Sequence, residues 1–197
     1  MTVAESSLQA LKEGNRRYGA GRAQHPRQDT ARRRETLPRQ QPFAVVLGCS
    51  DSRVPPEILF DQGVGDLFVV RTAGHVADEA VLGSVEYAVE HLGVPLVVVL
   101  GHTHCGAVTA AVQSAAAPHA PHPGHLGRLV EAVLPAVRET AGLPGDPVAH
   151  AIDAHIRRTV EALNAVPALA ERVRSGDLWI VGARYDLESG EVLWLDS

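Results

Sequence analysis

Two short stretches carry the side chains able to do chemistry. In "VVLGCSDSRVPPE" (residues 45–57) an apolar run stops at a glycine, and Cys49, Asp51 and Arg53 follow at alternate positions. In "VVVLGHTHCGAV" (97–108) another apolar run stops at Gly101, and His102 and Cys105 follow. Two thiolates, an imidazole and a carboxylate are a natural tetrahedral zinc set. Thiolates favour such a borderline-soft ion over magnesium or calcium. The chain has 2 cysteines, and this set uses both.

Asp51 has two partners open to it. As a fourth ligand on the metal it would close the site, as in structural zinc centres. Paired instead with Arg53, which can grip a carboxylate through two parallel hydrogen bonds, it would leave a position for water. Zinc lowers the pKa of such a water and supplies hydroxide near neutral pH. The plain alternatives are two buried free thiols, a closed structural zinc site with an ordinary salt bridge, or a redox pair. A redox pair gives Arg53 and His102 no role.

The elements that must position these groups alternate. "FAVVL" (43–47), "DLFVVR" (66–71) and "LVVVL" (96–100) are continuous apolar runs, as expected of strands buried on both faces. Residues 78–93 predict a helix. Asp78 caps it, Val81, Leu82, Val85, Val89 and Leu92 form its apolar stripe, and Gly93 ends it. Helices are also expected over 3–19, with Ser6 or Ser7 as cap, over 105–116 and over 148–163. Residues 177–186 and 190–196 read as an antiparallel hairpin across the turn "LESG".

The expected fold is α/β: a central, mostly parallel sheet flanked by helices, with about four parallel strands, an antiparallel C-terminal strand and an N-terminal helical arm. One domain is expected over 1–197: arm 1–41, zinc-site core 42–116, loop-rich segment 117–147, C-terminal helix and strands 148–197. If the strands 43–47 and 96–100 are neighbours, Cys49, Asp51, His102 and Cys105 converge beyond their carboxyl ends, where open α/β sheets gather function.

Composition bounds the reading. The 197 residues are 45% hydrophobic and 21% charged, the balance of a soluble globular domain. No apolar run approaches the roughly 20 residues that span a bilayer, so no membrane partner is expected. A net charge of −5 argues against nucleic acid. Arg32, Arg33 and Arg34 read as a solvated face. The polar N-terminus has no apolar signal segment, so the expected location is the cytoplasm, where a disulfide between the two cysteines is not expected. Residues 20–41 hold too few apolar groups to bury themselves and read as an arm over the domain or over a partner chain. "APHAPHPGH" places His119, His122 and His125 in what reads as a surface loop, with metal binding as the alternative.

"CSDSR", "RTAGHV" (71–76) and "GHTHCGAV" (101–108), in this order, resemble the β-class carbonic anhydrases closely. The resemblance extends to "LKEGNRRYGAGR" and "DQGVGDLFVVRTAGHVADEAVLGSVEYAV", nearly the whole chain. (Carbonic anhydrase is the standard example of zinc-activated water, there with three histidine ligands; a Cys/His set is a different solution.) The resemblance implies one Zn2+ per chain, reversible hydration of carbon dioxide to bicarbonate and a proton, and a homodimer or dimer of dimers with embracing N-terminal helices.

Position by position it implies Cys49, His102 and Cys105 as zinc ligands, joined by Asp51 only in a closed state. Asp51 and Arg53 match its catalytic dyad, which orients zinc-bound hydroxide. Gln40 matches a bicarbonate-binding glutamine, Phe68 and Tyr87 match aromatics lining the CO2 pocket across the dimer interface, and Gly106 matches a substrate-orienting backbone N–H. Ala73 implies a slightly roomier pocket. His75 reads as a turn cap or proton relay, and His104 as a proton shuttle or a solvent-facing residue. A bacterial branch of the family is inhibited by bicarbonate at a pocket that includes a tryptophan; here that position is Val46, although Arg71 matches another part of it. Two thiolate ligands imply better hydration at mildly alkaline pH. The alternatives are a relative acting on CS2 or COS, and a non-catalytic zinc protein.

Overall fold

The apolar runs become the strands that carry the site. Every residue of β1 (Ala44–Cys49) and β3 (Leu96–His102) is buried. The computed structural model describes residues 1–117 and 124–195. Its sheet has five strands in the order β2-β1-β3-β4-β5, with β2 at Leu67–Thr72, β4 at Trp179–Tyr185 and β5 at Val192–Trp194. Neighbours among the first four are parallel, and β5 runs antiparallel to β4. The chain leaves β1 for β2 on one side and returns to β3 on the other. The topological switch point therefore lies between β1 and β3.

Strand alternation splits the core into two layers. Val45, Leu47, Val97 and Val99 face α4 (Glu79–Leu92), α5 (Gly106–Ala116), α6 (Leu126–Glu139), α7 (Pro147–Asn164) and α8 (Pro167–Ser175). Ala44, Val46, Leu96, Val98 and Leu100 face α1 (Val3–Gly19) and α3 (Pro56–Leu59). Burying one such aliphatic side chain contributes about 1.5–3 kcal/mol. A polar residue inside β1 or β3 is thus the change that would cost the fold.

The ends of α4 are as expected: the Asp78 side chain accepts from Val81 N at 3.0 Å, and Gly93 is left-handed at φ 67°. The cap of α1 is not. Thr2, rather than Ser6 or Ser7, accepts from Glu5 N at 3.1 Å, while Thr2 N donates to Glu5 Oε2 at 2.6 Å. This reciprocal box satisfies two otherwise free N–H groups, a device worth about 1 kcal/mol. Ser6 and Ser7 lie inside the helix.

The expected loop-rich segment 117–147 is corrected in its second half, which contains α6. Its stripe Val130, Val133, Ala136 and Val137 is buried. Pro135 lies within the helix and, with Gly127 and the flanking prolines, masked that stripe in the sequence. His119 and His122 lie outside the described residues. α8 was not expected either, because its single buried apolar residue, Leu169, makes no periodic signal.

Residues 20–41 are held by ion pairs rather than apolar burial, and by their own chain. Buried Asp61 accepts from Arg17 Nε at 2.6 Å and from the backbone N–H of Gln24 and His25 at 3.0 and 2.8 Å. Asp66 pairs with Arg27 at 2.6 Å and with Arg32 at 3.2 Å. The arginine cluster therefore divides: Arg32 turns inward from α2 (Thr30–Glu35), while Arg33 and Arg34 are exposed.

Candidate metal centre

β1 and β3 end side by side, with Gly48 paired to Leu100. Cys49 closes β1 and His102 closes β3, while Cys105 stands immediately before α5. One ligand atom from each of Cys49, His102 and Cys105 lies within 4.8 Å of the other two. All three side chains are buried, at 5, 0 and 1% exposure. Gly101 lets α7 press close to this point: a Cβ there would lie 2.6 Å from Ile156 Cδ1.

The imidazole is aimed. His102 Nδ1 sits 2.8 Å from the Thr103 carbonyl, which can only accept, so Nδ1 carries the proton. Nε2 then offers a lone pair, yet it is buried and has no hydrogen-bond partner among the described residues. Cys49 Sγ receives the backbone N–H of Asp51 at 3.4 Å and of Gly74 at 3.3 Å. A side-chain hydrogen bond from Cys105, aided by these two N–H groups, draws the Cys49 thiol well down toward thiolate. The Cys105 thiol is pushed up, first by its hydrogen bond to Cys49 and then by burial. Two sulfurs competing for one proton, beside an imidazole lone pair with nothing to accept, are the donor set of a soft divalent cation. The residues fit zinc.

Asp51 borders this set, with Oδ2 4.0 Å from His102 Nε2. Arg53 holds both its oxygens, Nε to Oδ1 at 2.9 Å and Nη2 to Oδ2 at 2.7 Å, and Arg53 N adds a bond to Oδ1 at 2.9 Å. The guanidinium bonds hold the Asp51 carboxyl well below the usual carboxylate range. Arg71 braces the loop from behind, donating to the carbonyls of Cys49 at 2.8 Å and Asp51 at 2.6 Å.

A sequence model of the family described as carbonic anhydrase matches residues 44–192. The solved β-carbonic anhydrase CcaA superposes with a TM-score of 0.74 at 30% identity, covering 96% of this chain and 95% of that one. The chain belongs to the β-class carbonic anhydrase family. It is 49% identical to carbonic anhydrase 2 of Mycobacterium tuberculosis over 192 residues, 97% of this chain and 92% of the relative. A tetrameric β-carbonic anhydrase of Sordaria macrospora shares the fold, with a TM-score of 0.76 at 23% identity over 98% of both chains.

Within one chain the structure gathers some of the residues that the family pattern points to and not others. Cys49, Asp51, Arg53, His102 and Cys105 come together. Gly106 follows directly as the first, exposed residue of α5, and a Cβ on it would meet no atom within 4 Å. Phe68 and Tyr87 pair with each other, ring centroids 6.2 Å apart, but not with this site. Phe68 lies opposite Val45, whereas Cys49 lies opposite Thr72; four residues of strand are about 13 Å. β2 is an edge strand and Tyr87 is 46% exposed, so the pair faces outward. Gln40 is exposed and has no hydrogen-bond partner among the described residues. His75 is fully buried, whereas His104 is exposed. Val46 is core, packed beneath α1 and α3.

Sequence reasoning assigned nothing to the Gly74 N–H on Cys49, nor to the Arg71 bonds to the loop carbonyls. The only available signal for the first was the glycine of "RTAGHV", a residue type suited to close backbone approach.

Proposed function

We propose that the chain catalyses the reversible hydration of carbon dioxide to bicarbonate and a proton, with one zinc ion held by Cys49, His102 and Cys105. The observation that carries the reading is the buried, unpartnered Nε2 of His102 facing two cysteine sulfurs beside a doubly held Asp51. Bound zinc would lower the pKa of a water and so supply hydroxide near neutral pH.

The chain's own groups then orient the reaction. Asp51, fixed by Arg53, accepts the O–H of the attacking oxygen and turns its lone pair toward the CO2 carbon. Gly106, at the first turn of α5, offers a backbone N–H to an oxygen of CO2 or bicarbonate, since the first N–H groups of a helix lack intrahelical partners. With both carboxylate oxygens on Arg53, the arrangement favours the open site over Asp51 as a fourth ligand.

Residues 1–197 act as one domain in this reading, and the working form is a homodimer or dimer of dimers. The outward pair Phe68 and Tyr87, together with Gln40, would complete the pocket of a neighbouring copy. Two unpaired cysteines acting as ligands are typical of a reducing compartment, which supports a cytoplasmic enzyme. Among the described residues no helix is long and apolar enough to cross a membrane. Stopped-flow CO2 hydration on protein of measured zinc content, with CS2 and COS as competing substrates, tests the assignment. Turnover of CO2 supports it; turnover of CS2 or COS alone, or of none of them, contradicts it.

A further inference from the structure

We propose that His155, on α7, is a positioning residue for Cys49, acting through the Gly74 backbone; the inference rests on the zinc reading above. His155 is 81 residues away from Gly74 in sequence, yet its Nε2 lies 2.9 Å from the Gly74 carbonyl and is buried. The carbonyl can only accept, so Nε2 is the donor. On the other side of the same α-carbon, Gly74 N donates to Cys49 Sγ at 3.3 Å. Fixing the carbonyl therefore limits how far the N–H can swing.

The turn needs such an anchor. Gly74 and His75 are consecutive left-handed residues, at φ 66° and 45°, and a non-glycine residue there costs of order 1 kcal/mol. Thr72 Oγ1 closes the turn onto the Val76 carbonyl at 2.9 Å. The turn also packs on the helix that follows Cys105, since a Cβ at Gly74 would lie 2.9 Å from Ala107 Cβ. His75 supplies a surface: its ring lies 4.5 Å from the His155 ring, and neither of its nitrogens has a partner among the described residues. α7 itself cannot drift, because Ile156, the next residue, fills the space over Gly101 and Gly182.

An N–H bond to a cysteine sulfur holds that sulfur where its metal needs it, and it also draws off charge that the sulfur would otherwise give to the metal. Loss of an outer partner of this kind typically costs about 10–100-fold in metal affinity or activity.

The test uses protein in which cobalt(II) replaces zinc, so that sulfur-to-metal charge-transfer bands report the cysteine sulfurs directly. His155→Leu removes the donor, and His155→Gln keeps an N–H of similar reach. The Leu variant should shift the bands to longer wavelength and bind zinc about 10-fold more weakly, while the Gln variant matches the parent. If His155→Leu does not fold, His155→Asn, polar but too short, should show the same shift. Unchanged bands in Leu or Asn, or equal shifts in Leu and Gln, would overturn the inference alone. A parent protein that takes up cobalt without thiolate bands would overturn the zinc reading and this inference with it.

Discussion

Arg53 holds both carboxylate oxygens of Asp51, at 2.9 and 2.7 Å, while that carboxylate stands 4.0 Å from the free nitrogen of His102. A charge fixed at this distance from His102 can act as a hydrogen-bond acceptor without being consumed as a ligand.

Asp51→Asn tests that role. Asparagine is nearly isosteric, but it cannot form the charged pair, and its NH2 donates where an acceptor is needed. Zinc content should stay at the parent level, and kcat/KM for CO2 hydration should fall about 100-fold or more, the usual cost of losing one aimed polar group. Near-parent turnover would mean that the pair is incidental to catalysis.

Cys105→Ser tests the ligand set. Removing a direct ligand should cost more than the about 10–100-fold typical of an outer partner, so metal analysis after gel filtration should find the variant largely stripped. Full zinc occupancy would remove Cys105 from the set.

The outward face of β2 and α4 leads to a prediction about assembly. Phe68 and Tyr87 touch each other and not the Cys49, His102 and Cys105 cluster of their own chain, so activity should require a second copy. Sedimentation of the active enzyme should show a dimer or a multiple of it; a fully active monomer would refute the shared pocket.

A fourth prediction concerns pH and stability. Burial, chiefly, lowers the pKa values of both His75 and His155. A histidine whose folded pKa is depressed binds fewer protons folded than unfolded, so its contribution is complete above the ordinary value near 6.5 and is lost as pH falls below it. Each such residue steepens the loss by at most about 1.4 kcal/mol per pH unit. His155→Gln does not titrate, so urea unfolding at pH 6.5 and 5.5 should show a smaller acid loss than in the parent. Equal losses would mean that His155 is not held neutral. Asp51 behaves in the opposite range: its depressed carboxyl stays ionised to below about pH 4. A fall in activity between alkaline and neutral pH is therefore not its titration.

What the sequence made legible was local. Glycine-terminated apolar runs placed β1 and β3, and parallel neighbours ending together brought Cys49 to His102 and Cys105. Asp51 and Arg53 are two residues apart, so their pairing needed no tertiary knowledge. The rest depends on contacts between distant segments that leave no periodic trace. Asp61 gathers Arg17 and Gln24 across 44 and 37 residues; the composition left open whether the arm lies over its own domain or over a partner, and these contacts hold it on its own domain. α6 was obscured by Pro135 within a helix whose buried stripe is otherwise regular. The link from His155 through Gly74 to Cys49 joins a helix, a turn and a strand, none of which alone signals the others.

The central claim is that one zinc ion on Cys49, His102 and Cys105 makes this chain a CO2 hydratase. The most direct measurement adds zinc stepwise to chelator-stripped protein while the CO2 hydration rate is followed by stopped flow. The rate should rise in proportion and break sharply at one zinc per chain. A rate that is already full before zinc is added, or that stays at background with one zinc bound per chain, would contradict the account.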